Sequence, residues 1–233
     1  MIHPRKDKLR FVFAVVSFII FTSLVLRLLQ TNEFKPTNIM ERSVGEENPV
    51  ELKPDSNKNG PHAGKCGLAA SCLSGFAFKI ASGATNAVGP QICFDGKIII
   101  EKTVGHGRPG ITIVVIKETT GELIKTATYN MWNGDVRELI EFLKSIEDGS
   151  FVLMATFDDP ATKLNEEARN MIAEFGSAYV SKLKFRDNWV FVGGKKTMTQ
   201  VSFEQHLKND KSINQYGAWP EMIEMEGCIP RLD

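Results

Sequence analysis

The sequence predicts an α+β domain, on the strength of two hairpin signatures, two amphipathic helical stretches and a return to strand late in the chain. "FAFKIAS" (76–82) alternates apolar and polar residues, the pattern of a half-buried strand. "QICF-DG-KIII" (91–100) places Asp-Gly between two apolar runs, a strong two-residue hairpin signal. "ITIVVIK-ETTG-ELIKTATYN" (111–130) reads as a second hairpin. In "GDVRELIEFLKSIEDG" (134–149), Val136, Leu139, Ile140, Leu143 and Ile146 fall on one helical face and Asp135 is placed to cap the start. "SFVLMATF" (150–157) is apolar throughout, as expected of a buried strand. "NEEARNMIAEFGS" (165–177) is a second amphipathic helix with Gly176 as its stop, and "NWVFVGG" (188–194) is a further strand.

The 233 residues allow one folded domain plus an N-terminal extension. Basic residues in "MIHPRKDKLR" precede "FVFAVVSFIIFTSLVL" (11–26), which carries no charge. A positive flank before an apolar core is the layout of a secretory signal. No small-x-small cleavage site follows Leu26, so residues 1–29 read either as a cleaved signal peptide or as an uncleaved anchor. Both place the remainder outside the cytosol: secreted through the ER and Golgi, or held as a type II membrane protein. Residues 30–64, rich in Pro, Asn, Glu and Lys, read as a disordered stem, and the globular domain is expected over 65–230.

Four cysteines, Cys66, Cys72, Cys93 and Cys228, all lie downstream of that leader, and no Cys-x-x-Cys occurs. An even count in an oxidising compartment reads as two disulfides, with all three connectivities open to spacing alone. No Asn-x-Ser/Thr acceptor is present.

Twenty-eight basic residues balance 28 acidic ones, and no basic run suggests a nucleic-acid face. The four histidines show no metal-ligand spacing, there is no G-x-S-x-G, and the glycines of "GHGRPG" (105–110) lack the Lys-Ser/Thr of a phosphate cradle. The expectation is a non-enzymatic protein without cofactor or metal.

Three stretches offer binding chemistry. "FDDPATKLNEE" (157–167) sets Asp158 and Asp159 where a strand ends. Adjacent side chains on extended backbone point to opposite sides, so the two acids are not expected to share a ligand. One is expected to satisfy turn donors before Pro160, leaving the other free. "KFRDNWVFVGG" (184–194) offers Arg186, whose five donors form a fixed fork, against the plainer reading of a structural Arg186–Asp187 pair. Trp189 and Phe191, at period two, read as core. "YNMWNGDV" (129–136) puts Trp132 at a loop mouth, either as a platform for sugar C–H faces or as packing.

Taken together, "ASGATNAVGPQICF", "YNMWNGDV", "FDDPATKLNEEAR", "FRDNWVFVGG", "FEQHLKN" and "WPEMIEMEGCIP" closely resemble the secreted cytokine-like family of the interleukin-like inducer of epithelial–mesenchymal transition and the pancreatic-derived factor. The resemblance spans about residues 65–230. It implies two antiparallel β-sheets packed as a sandwich with short flanking helices, and the pairings Cys66–Cys93 and Cys72–Cys228. The same module resembles the GG-type lectin domain, which implies carbohydrate binding through Asp158 and Arg186, with Asp159 left to the turn. A cell-surface receptor is the partner that a cytokine-like protein implies. One departure stands out: where the epithelial–mesenchymal inducer has a cysteine that permits covalent dimers, this chain has Val192, so no covalent dimer is expected through that position.

Overall fold

The computed structural model describes Thr22, Cys72 and residues 75–105 and 107–231. The leader, the stem and Cys66 lie outside the described residues. No helix among the described residues is long and apolar enough to cross a membrane.

From residue 75 to 231, nine strands and two helices follow one another as β1 (Gly75–Ala81), β2 (Gln91–Phe94), β3 (Lys97–Ile100), β4 (Gly110–Lys117), β5 (Leu123–Asn130), α1 (Val136–Lys144), β6 (Ser150–Phe157), α2 (Glu166–Ala173), β7 (Asn188–Lys195), β8 (Phe203–Leu207) and β9 (Glu224–Pro230). A single 3₁₀ turn, Val180–Lys182, stands between α2 and β7. The strands form two antiparallel sheets, a four-stranded β3-β2-β1-β9 and a five-stranded β5-β4-β6-β7-β8. The expected sandwich with flanking helices is what the chain adopts.

Side-chain alternation explains the layering. Along β4, Ile111, Ile113 and Val115 point one way and Val114 and Ile116 the other, and all five are buried. The first set packs with Leu139, Leu143, Ala168 and Ile172 of the helices. The second packs with Phe76, Phe78, Ile80 and Ile92 of the smaller sheet. The five-stranded sheet is therefore covered on both faces, which is why β6 is buried at every position and shows no alternation in sequence. Trp189 and Phe191 are fully buried and stack 5.6 Å apart, as their period-two spacing predicted.

The first hairpin turns on Asp95 (φ +46°) and Gly96 (φ +75°), the pair of left-handed residues that a type I′ turn demands. Asp135 caps α1 by accepting from Arg137 N at 2.9 Å. Both helices are shorter than their apolar periodicity suggests: Ile146 and Phe175 are buried yet lie past the last helical turn.

Sequence reading did not assign β8 or β9. β9 is a seven-residue strand that pairs with β1 along its whole length, from Gly75↔Pro230 to Ala81↔Glu224. The folded module thus begins and finishes on neighbouring strands. A disulfide between Cys72 and Cys228, with Cα atoms 5.7 Å apart, braces that ladder. Cys93 is also disulfide-bonded, while Cys66, its expected partner, lies outside the described residues.

Candidate functional site

Strand register puts the end of β6 (Phe157) beside the start of β4 (Gly110), which in turn lies beside the end of β5 (Asn130). The start of β7 (Asn188) is paired with the end of β8 (Leu207). The loops 131–135, 158–165, 184–187 and 208–223 consequently gather at one rim of the large sheet.

Asp158 leaves β6 with φ +54°, and Arg186 enters β7 with φ +62°. Neither is glycine, and left-handed backbone at such residues costs on the order of 1 kcal/mol or more, a kind of strain that concentrates at ligand sites. The two side chains, distant in sequence, meet with Arg186 Nε 3.6 Å from Asp158 Oδ1. Both are partly accessible, at 19% for Asp158 and 23% for Arg186, so each keeps part of its surface for a ligand. The Arg186–Asp187 pair that the plainer reading allowed does not form.

Trp219 completes the cluster. Its Nε1–H donates to Asp158 Oδ1 at 2.7 Å, and the Arg186 guanidinium lies over its ring at 3.9 Å. Phe185 takes up the guanidinium as well, 4.7 Å from its ring centre. Stacking holds the fork in plane while one carboxylate oxygen, Oδ1, is engaged by protein donors. Among the described residues, Arg186 Nε is buried without a hydrogen-bond partner, so the fork is fixed by stacking and charge more than by hydrogen bonds.

Asp159 behaves as the turn residue: it is 1% exposed, and its Oδ1 accepts from Ala161 N at 3.0 Å and Thr162 N at 3.1 Å. Those bonds fix the exit from β6 and hence the direction of Asp158. On the other side, Arg169 of α2 donates to the carbonyls of Leu164, Val180 and Leu183, tying down the chain that leads to Arg186. Burial lowers the Arg169 pKa from its ordinary value, but guanidinium remains charged.

Trp132 is 56% exposed in the loop after β5, and its backbone N donates to Asn130 Oδ1 at 2.9 Å. Strand order separates β5 from β6 by one strand and from β7 by two, at about 4.8 Å per step. The rim unites Asp158 and Arg186 with Trp219 beside them, and Trp132 stands on the neighbouring loop, where Met131 O accepts from Lys163 N at 2.7 Å. Trp219 carries no local signal, since it lies in the long segment after β8, 61 residues from its acceptor. His106 lies outside the described residues, and no cluster of three or more His, Cys, Asp or Glu able to hold a metal occurs among the described ones.

These features define a disulfide-braced β-sandwich module with a loop-built rim of acid, guanidinium and indole. The family model for the Interleukin-like EMT inducer matches residues 109–197, a span that includes Asp158 and Arg186 and stops short of Trp219. Protein FAM3C of Danio rerio is 56% identical over 178 residues, covering 76% of this chain and 78% of the relative. Protein FAM3C of Homo sapiens is 51% identical over 168 residues (72% and 74%), and human Protein FAM3A is 45% identical over 168 residues (72% and 73%). The chain belongs to this FAM3, interleukin-like EMT inducer family of cytokine-like proteins.

Proposed function

We propose that the protein is a secreted, cytokine-like signalling protein without enzymatic activity, whose domain binds carbohydrate at the rim formed by Asp158, Arg186 and Trp219. The observation that carries this reading is the convergence of a carboxylate and a guanidinium 3.6 Å apart, both on left-handed backbone and both partly accessible. A sugar presents neighbouring hydroxyls that donate and accept at once. The carboxylate accepts a hydrogen bond from one hydroxyl, and the guanidinium donates one to the next oxygen. The leader directs the chain through the ER and Golgi, where it is released on cleavage or retained as a type II anchor if uncleaved.

Glycan-array binding of the protein purified from the medium of expressing cells, beside the Arg186→Ala variant, tests this. The expected result is glycan binding by the wild type, weakened at least about tenfold in the variant, the loss of one charge-assisted contact. A folded wild type that binds no glycan overturns it.

A second reading has its own support. Ile213 (75% exposed) and Tyr216 (54% exposed) stand on the segment that carries Trp219 and offer apolar contact to a protein receptor. A receptor ligand of that kind would signal unchanged as Arg186→Ala.

A further inference from the structure

Between β8 and β9, residues 208–223 run as a strap across the rim from the large sheet to the small one. Sixteen residues without regular structure are an unusual length for a connection in a compact domain. Ile213 and Tyr216 are among the exposed apolar residues, and Trp219 is only partly buried, so burial does little to hold the strap. Hydrogen bonds must offset the entropy of ordering it, on the order of 1 kcal/mol or more per residue.

The far end of the strap is tied by Asn188 Nδ2 donating to Glu221 O at 2.7 Å and Ile223 N donating to Ser82 Oγ at 3.1 Å, and the bonds of its near half lead back to one group. Asp187, next to Arg186, is 1% exposed. Its Oδ2 accepts from Lys184 N at 2.9 Å and lies 2.9 Å from His206 Nε2, while its Oδ1 accepts from Asn209 N at 2.8 Å. One buried carboxylate thereby joins the turn that carries Arg186, the end of β8 and the start of the strap. The line continues outward. Asn209 Nδ2 donates to Phe185 O at 3.2 Å, and Asn209 Oδ1 accepts from Asn214 Nδ2 at 2.7 Å. Asn214 Nδ2 also donates to Gly217 O at 3.1 Å, two residues before Trp219.

We infer that Asp187, Asn209 and Asn214 form a clasp that positions Trp219 against Arg186 and Asp158, making the strap part of the binding site. The clasp rests on the carbohydrate reading only for what the rim binds; its geometry stands apart from that. Asp187 touches no ligand in this scheme. Arg186 and Trp219, 3.9 Å apart, are carried by different segments. The clasp holds the strap at that separation from the side of β8, as Asn188 Nδ2, donating to Glu221 O, holds it from the other. Without it, Asp158 loses the indole donor and the guanidinium loses one of its two aromatic faces.

The indole N–H groups report this directly. In the whole secreted protein the Trp219 N–H is bonded to Asp158 at the rim, whereas the Trp189 N–H is bonded in the interior to Glu204 Oε1 at 2.7 Å. Hydrogen exchange at the tryptophan indoles would be followed by NMR in the wild type, Asp187→Asn, Asn214→Ala and Asn214→Asp. Asn214→Asp keeps an oxygen to accept from Asp210 N at 3.1 Å and turns the two donated bonds into contacts between acceptors. The expected result is Trp219 exchange at least about tenfold faster in all three variants, with Trp189 unchanged in both Asn214 variants, and a fall in glycan affinity of similar size. Trp219 exchange at the wild-type rate in both Asn214 variants overturns the inference, even if Asp187→Asn fails to fold. Accelerated Trp219 exchange in the variants, together with a wild type that binds no glycan, would retain the clasp and remove the carbohydrate reading, so the two fail separately.

Discussion

Removing the Cys72–Cys228 disulfide should be the most damaging covalent change available to this domain. The bridge closes a loop of 156 residues, and in the chain-entropy account such a cross-link restricts the unfolded ensemble by about 5 kcal/mol at 25 °C. That figure is insensitive to the other bridge at Cys93, because it grows only with the logarithm of loop length. The folded side loses little: β1 and β9 keep a ladder running from Gly75↔Pro230 to Ala81↔Glu224. Serine at both positions should therefore lower the free energy of unfolding by about 4–5 kcal/mol and the melting temperature by roughly 10–20 °C for a domain of this size. Urea titration followed by circular dichroism, at fixed redox conditions, gives the number. A loss below about 1 kcal/mol with an unchanged denaturant slope would refute the reasoning, since it would mean the unfolded chain is already held compact without the bridge.

Three further outcomes follow from individual contacts. Glu204 accepts from Trp189 Nε1 at 2.7 Å, Ala178 N at 2.8 Å and Tyr179 N at 3.2 Å, so Glu204→Leu strands a fully buried indole donor and should cost about 2–4 kcal/mol in a urea titration; a loss under 1 kcal/mol would show that the indole finds another acceptor. Burial, followed by the Glu138 carboxylate, pushes the Tyr129 phenol up to about 12. The folded state thus holds a proton that the unfolded chain releases near pH 10, so stability is lost as pH rises from about 10 to 12. Phenolate absorbance should show one tyrosine ionising last, a step absent from Tyr129→Phe; all phenols titrating together near 10 would contradict it. Val192 is fully buried in the core between the sheets, so the thiol of Val192→Cys should stay unreactive to aqueous maleimide until unfolding, and prompt labelling would place that strand elsewhere.

Local chemistry was legible wherever a residue's role is decided by its neighbours in sequence. Asp95-Gly96 specified a turn because both positions need left-handed backbone, and Asp135 specified a helix start through its bond to Arg137 N. Periodicity overran the helix ends because Ile146 and Phe175 stay on the apolar face after the helical bonds stop, so the hydrophobic pattern outlasts the backbone pattern. β9 escaped notice for the opposite reason. It is an edge strand in which Met225 and Ile229 point inward and the intervening inward position is Gly227, where a Cβ would lie 2.7 Å from the Phe78 ring. A glycine shaped by a distant aromatic ring reads locally as a break in the strand.

The candidate site divides along the same line. Asp158, Asp159 and Arg186 were readable as candidates because they flank strongly patterned strands, β6 and β7; side-chain alternation separated the two acids, and only the family resemblance assigned Asp159 to the turn. The meeting of Asp158 and Arg186 was not readable from the residues, since it depends on β6 and β7 pairing from Ser150↔Lys195 to Ala155↔Val190. Trp219 was invisible because nothing around it states that the strap will double back over the rim.

Since β1 and β9 lie side by side, with Gly75 opposite Pro230, the module has a common entry and exit. That doorway is at the end of the molecule away from the rim: β1 runs toward the rim, and just beyond its last residue Gly83 N bonds to Thr156 O, near the end of β6. A fluorescent protein, a biotin handle or a second module attached next to Gly75 or Pro230 leaves from the back of the domain. Immobilised through a handle placed next to Gly75 or Pro230, the domain would turn its rim toward the liquid, and two copies joined there back to back would present their rims in opposite directions.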